Sequence, residues 1–292
     1  MLPPIIRKAV LPAAGFGTRF LPVTKAQPKE MLPIVDKPVI QYIVEEAVNS
    51  GITEIIIITG RGKRAIEDHF DTSFELEHTL VEKGKTNLLK EIKKLEKLAK
   101  FIYVRQPKPL GDGHAILCAK EVIGNEPFAV LFGDDIVDNE KPALKQLIEI
   151  YNEYKSSVIA LENIPRSETG SYGIIKPSSS KGRLHKVEAL VEKPEPNKSP
   201  STLGIIGKYI CTPEIFKHLE KATSGTTDKE IRLIDGFRSL IKEQDIYGYE
   251  LEGTRYDTGD KLGLIKATID FALKRPDLKD ELMKFLKNKK YN

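Results

Sequence analysis

The chain has 292 residues, enough for one large or two small domains, and its 40% hydrophobic and 30% charged residues describe a folded globule rather than disorder. The net charge is +4, and residues 274–292, with seven basic and three acidic side chains, hold all of it, which excludes a broad basic face for nucleic acid. Cys118 and Cys211 give no CxxC, metal-ligand spacing or disulfide framework, no apolar run approaches the ~20 residues of a membrane span, and Met1–Lys8 carries two prolines and no signal-peptide core; a cytoplasmic protein is expected.

Arg7–Leu11, the first predicted strand, leads into a glycine loop. Val39, Ile40, Ile43, Val44, Ala47 and Val48 follow the spacing of one helix face, which Gly51 stops. Glu54–Thr59 is continuous and β-branched, as suits a strand covered on both faces. Asp68–Lys100 is rich in Glu and Lys, with helical spacing at Leu88, Ile92, Leu95 and Leu98, and predicts a helical insertion on the rim of a sheet. Phe101–Val104 and Phe128–Phe132 predict strands, with a helix through Ala115, Ile116 and Ala119 between them. Ala143, Leu144, Leu147, Ile148 and Tyr151 mark another helix. This alternation predicts an α/β, Rossmann-like domain whose mostly parallel sheet is flanked by helices.

After Ser157 strands dominate, at Val158–Leu161, Tyr172–Lys176, Leu184–Val191 and Leu203–Ile210. Helical spacing returns at Lys229–Glu243 and Lys261–Leu273, with a strand face at Tyr247, Tyr249 and Leu251 between them. Lys284, Lys287, Lys289 and Lys290 read as a solvated helix end. No Gly/Ser-rich linker intervenes, so 1–292 reads as one domain: a first half at about 5–160, a subdomain packed on the first sheet at about 161–275, and a C-terminal helix at about 276–292.

Ala13-Ala14-Gly15-Phe16-Gly17-Thr18-Arg19 directly follows the first predicted strand. Glycines there let the backbone approach a ligand, successive amides can turn toward phosphate, and Arg19 adds a planar five-donor group. Phe20 stands where a dinucleotide fingerprint needs its third glycine, and Gly60-Arg61-Gly62-Lys63 lacks the spacing of a Walker A loop. Alone, a GxG pair also describes an ordinary strand–helix turn. Lys25 and Lys29 follow closely, Glu30 adjoins Lys29, and Pro22, Pro28, Pro33 and Pro38 keep the stretch out of a regular helix. Cations on a stiff loop beside a glycine turn suit a triphosphate; the alternative is surface cations without a common ligand. Gly133-Asp134-Asp135 follows the strand Phe128–Phe132, at the strand end where open α/β sheets bind ligands. Asp134 is a candidate Mg²⁺ ligand, or else a turn cap.

These motifs, with Pro28-Lys29-Glu30-Met31-Leu32-Pro33-Ile34 and Lys37-Pro38, resemble the signature of the nucleotide-sugar pyrophosphorylases, and most closely their bacterial-type uridylyl-transferring branch. The resemblance runs from about Lys8 to about Arg275 and takes in Asp68–Asp71, Gln106–His114, Glu192–Pro194 and Tyr256–Gly259. It implies a nucleotidyltransferase fold with a nucleotide half and a sugar half, and the reaction of UTP with glucose 1-phosphate to UDP-glucose and pyrophosphate, assisted by Mg²⁺. A homo-oligomer is expected, with no nucleic-acid or membrane partner.

By the same resemblance, Ala13, Ala14, Gly15, Gly17, Thr18 and Arg19 would bind the nucleotide, and Arg19 and Lys29 would neutralise the triphosphate during catalysis. Gln106 and Gly111 would meet the base, since a side-chain amide matches a uracil edge with both donor and acceptor. Asp134 and the matching Asp257 would hold the metal. Gly173, Glu192 and Lys193 would bind the sugar phosphate; without the resemblance, the Glu-Lys pair reads as a solvated strand end. Two residues depart from the family pattern. Asp112 stands where relatives more often carry an apolar residue, which would alter base affinity, and Gly133 stands where Pro often precedes the Asp pair. His114 reads as structural. The rivals are a thymidylyltransferase or other sugar-1-phosphate nucleotidyltransferase, because thymine presents the same edge, and a non-catalytic nucleotide-sugar sensor, against which the presence of Arg19, Lys29, Asp134 and Asp257 speaks. A dinucleotide oxidoreductase is disfavoured by Phe20.

Overall fold

A computed structural model describes residues 6–222 and 230–289. The first half carries β1 (Lys8–Ala13), β2 (Pro33–Ile34), β3 (Lys37–Pro38), α1 (Val39–Asn49) and β4 (Glu54–Thr59). Next come α2 (Arg64–Phe70), α3 (Phe74–Glu82), α4 (Thr86–Leu95), β5 (Lys100–Arg105), α5 (Asp112–Leu117) and α6 (Lys120–Ile123). It closes with β6 (Phe128–Leu131), β7 (Asp135–Asp138), α7 (Ala143–Tyr154) and β8 (Ser157–Asn163). The second half carries β9 (Gly173–Lys181), β10 (Leu184–Glu192), β11 (Leu203–Cys211), α8 (Ile215–Ala222) and α9 (Leu233–Leu240). It ends with β12 (Ile246–Glu250), β13 (Thr254–Asp257), α10 (Lys261–Leu273) and α11 (Lys279–Asn288). The helical reading at Lys229 and the tail residue Lys290 lie outside the described residues, as do residues 1–5.

One nine-stranded sheet organises the molecule, in the order β5-β4-β1-β6-β11-β8-β12-β10-β9. The first four strands run parallel, as their alternation with helices predicts. β11 then enters antiparallel between β6 and β8. β9 and β10 form an antiparallel hairpin at the far edge. The strands β11, β12, β10 and β9 of the second half therefore continue the first sheet, with β8 of the first half between β11 and β12. A single β-branched run explains why both faces are covered. Ile55 and Ile57 of β4 enter the core beneath α1 and α7, while Ile56 and Ile58 enter the core beneath α5, α8 and α9. Each fully buried isoleucine contributes about 1.5–3 kcal/mol of burial free energy. In the insertion, α3 and α4 pack on each other, and α4 buries no residue, as its polar composition predicts.

The parallel strands place four loops at one end of the sheet. Residues 14–17 follow β1, 60–63 follow β4, 106–111 follow β5 and 132–134 follow β6. The chemistry-bearing motifs sit on these loops.

Candidate active site

Beyond β1 the chain turns through three short 3₁₀ segments, Thr18–Phe20, Val23–Lys25 and Lys29–Met31, which fold Lys29 back under the glycine loop. Gly17 has φ +66°, and a Cβ there would lie 3.1 Å from both Lys29 Cβ and Thr24 Cγ2. The position needs glycine on both counts. Gly60 packs as closely on this loop: its Cβ would lie 2.9 Å from the Ala14 carbonyl.

A cleft of about 610 Å³ opens here, walled by Ala14, Gly15, Arg19, Lys29, Gln106, Gly111 and Asp134 among others. Ala13 is buried at the strand end, and Gly17 and Thr18 shape the loop without forming the wall; exposed Lys25 also stands away from it. Lys29 Nζ is paired with Asp134 Oδ2. Burial lowers the Lys29 pKa, but the Asp134 and Glu30 carboxylates outweigh burial and Arg19, so the net direction is up and the ammonium is held.

Beneath Lys29 lies a pair that the sequence did not reveal. Glu30 is 1% exposed and accepts a 2.8 Å bond from Lys63, which is 6% exposed. The other Glu30 oxygen is buried without a partner, and burial raises its pKa against the pull of Lys63 and Lys29. Lys63 closes the Gly60-Arg61-Gly62-Lys63 segment, so this second glycine loop braces the first. Gly133 belongs to the same packing, because a Cβ there would lie 3.0 Å from Glu30 Cγ.

β7 and β13 form a two-stranded ribbon in which Asp257 pairs with Asp135. Thr258 donates to the Asp134 carbonyl through both its amide and its hydroxyl, each at 2.8 Å. A Cβ at Gly259 would lie 2.5 Å from Asp134 Oδ2 and 3.0 Å from Asp257 Oδ1, so the bare glycine lets the two carboxylates converge. The Asp257 pKa is raised by burial first; Arg255 opposes this and Asp134 adds to it. Two convergent carboxylates form a hard-oxygen donor set. That set fits a small divalent cation whose remaining positions go to water and phosphate.

Arg255, two residues before Asp257 on the same strand face, ties this ribbon to its surroundings. Its guanidinium donates to both oxygens of Asp135 at 2.8 and 3.1 Å, to Glu162 at 2.9 Å and to the Tyr172 hydroxyl at 3.2 Å. Lys208 on β11, wholly buried, donates to the Asp135 carbonyl at 2.9 Å and pairs with Glu46. Neither residue carries a local sequence signal.

Gln106 uses its amide protons internally, toward the Gly111 carbonyl at 2.9 Å and His114 Nδ1 at 3.0 Å. Its oxygen remains as the group it can offer a ligand. His114, its pKa lowered by burial, thus acts as a support for Gln106. Past Gly111 the chain is zipped to the segment before α9: Gly113 N donates to Ile231 O at 2.9 Å and Ile231 N to Leu110 O at 2.8 Å. A second cavity of about 170 Å³ adjoins the cleft, with Asp112 and Phe132 in both walls. Gly173, Glu192 and Lys193 line it together. A Cβ at Gly173 would lie 3.3 Å from Glu192 Oε2. Lys193 has φ +46°, unusual for a side-chain-bearing residue, and its amide donates to the Tyr172 carbonyl at 3.0 Å. Asp112 Oδ1 accepts from Gly113 N at 2.7 Å and Leu233 N at 3.0 Å, and burial raises its pKa in spite of both bonds.

A glycine-bound loop, a paired lysine and two convergent carboxylates beside two adjoining cavities of unequal size suit phosphate transfer. Residues 8–273 match the family described as nucleotidyl transferase, and the chain belongs to that family. It is 54% identical, over 96% of its own length and 96% of the relative's, to the UTP–glucose-1-phosphate uridylyltransferase of Bacillus subtilis. The solved UTP-bound UGPase from Acinetobacter baumannii superposes with a TM-score of 0.91 at 40% identity, over 98% of this chain and 100% of that one. A UDP-glucose pyrophosphorylase complexed with UDP-glucose gives 0.85 at 43% identity, over 93% and 100%. No helix among the described residues is long and apolar enough to cross a membrane.

Proposed function

We propose that the chain transfers the uridylyl group of UTP to glucose 1-phosphate, forming UDP-glucose and pyrophosphate. The observation that carries this reading is the joining of two unequal cavities, with Lys29 and Asp134 on the larger and Glu192 and Lys193 on the smaller. The names and bound ligands of the relatives support it.

In this reading the glucose 1-phosphate oxygen attacks the α-phosphorus of UTP, and the bond to the β-phosphate oxygen breaks with its electron pair leaving on pyrophosphate. The nucleophile is already anionic at neutral pH, so no general base is needed. The difficulty is to bring two polyanions together, and positioning with charge neutralisation dominates. Arg19 and Lys29 neutralise the triphosphate, Lys29 trading part of its bond to Asp134 for phosphate oxygens. Lys193 places the attacking phosphate, Glu192 accepts from sugar hydroxyls, and the Gln106 oxygen accepts the ring N–H of uracil. Asp134 and Asp257 would hold Mg²⁺, which when bound supplies positive charge at the phosphates. On this division residues about 5–160 are the nucleotide half and about 161–275 the sugar half. The setting is cytoplasmic, in keeping with two free cysteines.

Pyrophosphate release with UTP, dTTP, CTP and ATP against glucose 1-phosphate tests the assignment. UTP is expected to turn over fastest. Faster turnover of dTTP establishes the thymidylyl reading instead, and nucleotide binding without turnover establishes a sensor.

A further inference from the structure

Asp112 departs from the family's apolar habit, and its surroundings give it a task other than the altered base affinity expected from the sequence. Its Oδ1 is fixed by two backbone amides, those of Gly113 and Leu233, at 2.7 and 3.0 Å. Among the described residues its Oδ2 has no hydrogen-bond partner, and the residue lines both cavities. Oδ2 is thus the polar atom this side chain brings to the partition between them. Glu192, across the smaller cavity, opposes its ionisation, and Arg232 in the same wall favours it.

The chemistry of possible neighbours selects the ligand group. A phosphate is drawn to Lys193 in the same wall and repelled by Asp112 and Glu192, so it is not the group that meets these two carboxylates. The carbonyl oxygens of a pyrimidine offer Asp112 nothing to accept, and the ring N–H falls to Gln106. Hydroxyl groups of a neutral ring satisfy both carboxylates as donors. We propose that Asp112 is a specificity-determining residue that accepts a hydrogen bond from a hydroxyl of the hexosyl group, opposite Glu192. The inference rests on the sugar-transfer reading above and assigns one more residue to its sugar side. Because the anchoring bonds are made by Oδ1 alone, the isosteric Asp112→Asn keeps them through its own oxygen. It presents an N–H₂ donor where the acceptor stood.

The test is steady-state kinetics of the full chain, unmodified and as Asp112→Asn and Asp112→Leu. The substrates are UTP, dUTP, glucose 1-phosphate and its 2-, 3-, 4- and 6-deoxy analogues. Asp112→Asn is expected to raise the glucose 1-phosphate KM about 10- to 100-fold, the worth of one charge-assisted hydrogen bond. The UTP KM and the melting temperature are expected to stay unchanged. One deoxy analogue should be poor with the unmodified chain and no poorer than glucose 1-phosphate with Asp112→Asn. A purely structural cap predicts that Asn behaves as Asp while Leu destabilises, and that result overturns the proposal. Coupling to the missing hydroxyl of dUTP overturns it in favour of the ribose. If the unmodified chain turns over UTP but not glucose 1-phosphate, the sugar-transfer reading itself fails and the proposal with it. Turnover with no effect of Asp112→Asn sinks the proposal alone.

Discussion

The two ends of the cleft are built on opposite plans. At the triphosphate end, charges interlock before any ligand arrives: Lys29 with Asp134, and Lys63 with Glu30 beneath them. At the sugar end the pairing is looser, with the Lys193 side chain 60% exposed and its ammonium 3.7 Å from Glu192. On the proposed reading the first end is preorganised, and its ion pairs would be exchanged for phosphate. The second gathers its ligand by individual hydrogen bonds. Damage to the first end should therefore appear in the chemical step, and damage to the second in binding.

The largest effect is expected from the buried brace. Lys63→Met leaves the Glu30 carboxylate without its cation and should cost about 3–5 kcal/mol of stability, read by denaturant unfolding. The Glu30 pKa lies above its ordinary value of 4.5 in the fold, so the folded state binds this proton more tightly than the unfolded chain. Stability from that proton is full below the unfolded pKa and is lost as pH rises through the folded pKa, so the deficit should be smallest in acid. If Lys63→Met unfolds like the unmodified chain at neutral pH, the interlocked picture of this end is wrong.

Next come the carboxylates. Asp134→Asn and Asp257→Asn should each lower turnover about 10²–10³-fold with the fold retained by circular dichroism. A chelator should abolish activity and Mg²⁺ restore it. Full turnover by Asp257→Asn would separate this residue from Asp134.

The comparison itself is sharpest in the two lysines. Lys29→Ala should lower kcat about 10- to 100-fold, since its charge matters most as negative charge gathers on departing pyrophosphate. Lys193→Ala should raise the glucose 1-phosphate KM by about tenfold and leave kcat nearly intact, a smaller effect because solvent screens the exposed charge. Varying each substrate in turn reads both. A rise in UTP KM alone on losing Lys193 would reverse the assignment of the two ends.

Much of this arrangement was legible in the sequence, for identifiable reasons. β4 is a β-branched run and α1 keeps helical spacing for three turns, so local pattern and tertiary burial agree. Arg19, Lys29, Gln106 and Asp134 lie on loops that directly follow predicted strands, and those strands converge at one end of the sheet. β7 and β13 escaped notice because four residues are too few for alternation to register. α2 and α8 are helices of 7 and 8 residues, and the spacings Ile66 to Phe70 and Ile215 to Leu219 are too few turns to register as a helical period. Lys63, Glu30 and Arg255 were out of reach for another reason. Their meaning lies in partners supplied by other elements, and a single chain read in order carries no sign of such pairing. Lys25 shows the converse, a cation in the right stretch that the 3₁₀ turn directs into solvent.

The ribbon of β7 and β13 pairs residues 135–138 with 254–257. A closure over so long a stretch is entropically late, and during synthesis it must wait for the second strand to leave the ribosome. A nascent chain that has emerged only through β8 already owns β1, β4, β5 and β6 with their loops, but lacks β11, which pairs with both β6 and β8. It does not yet own Asp257, nor the Arg255 fork that fixes Asp135. The chain is thus built so that the carboxylates of Asp134 and Asp257 come together only when nearly the last strand has been delivered.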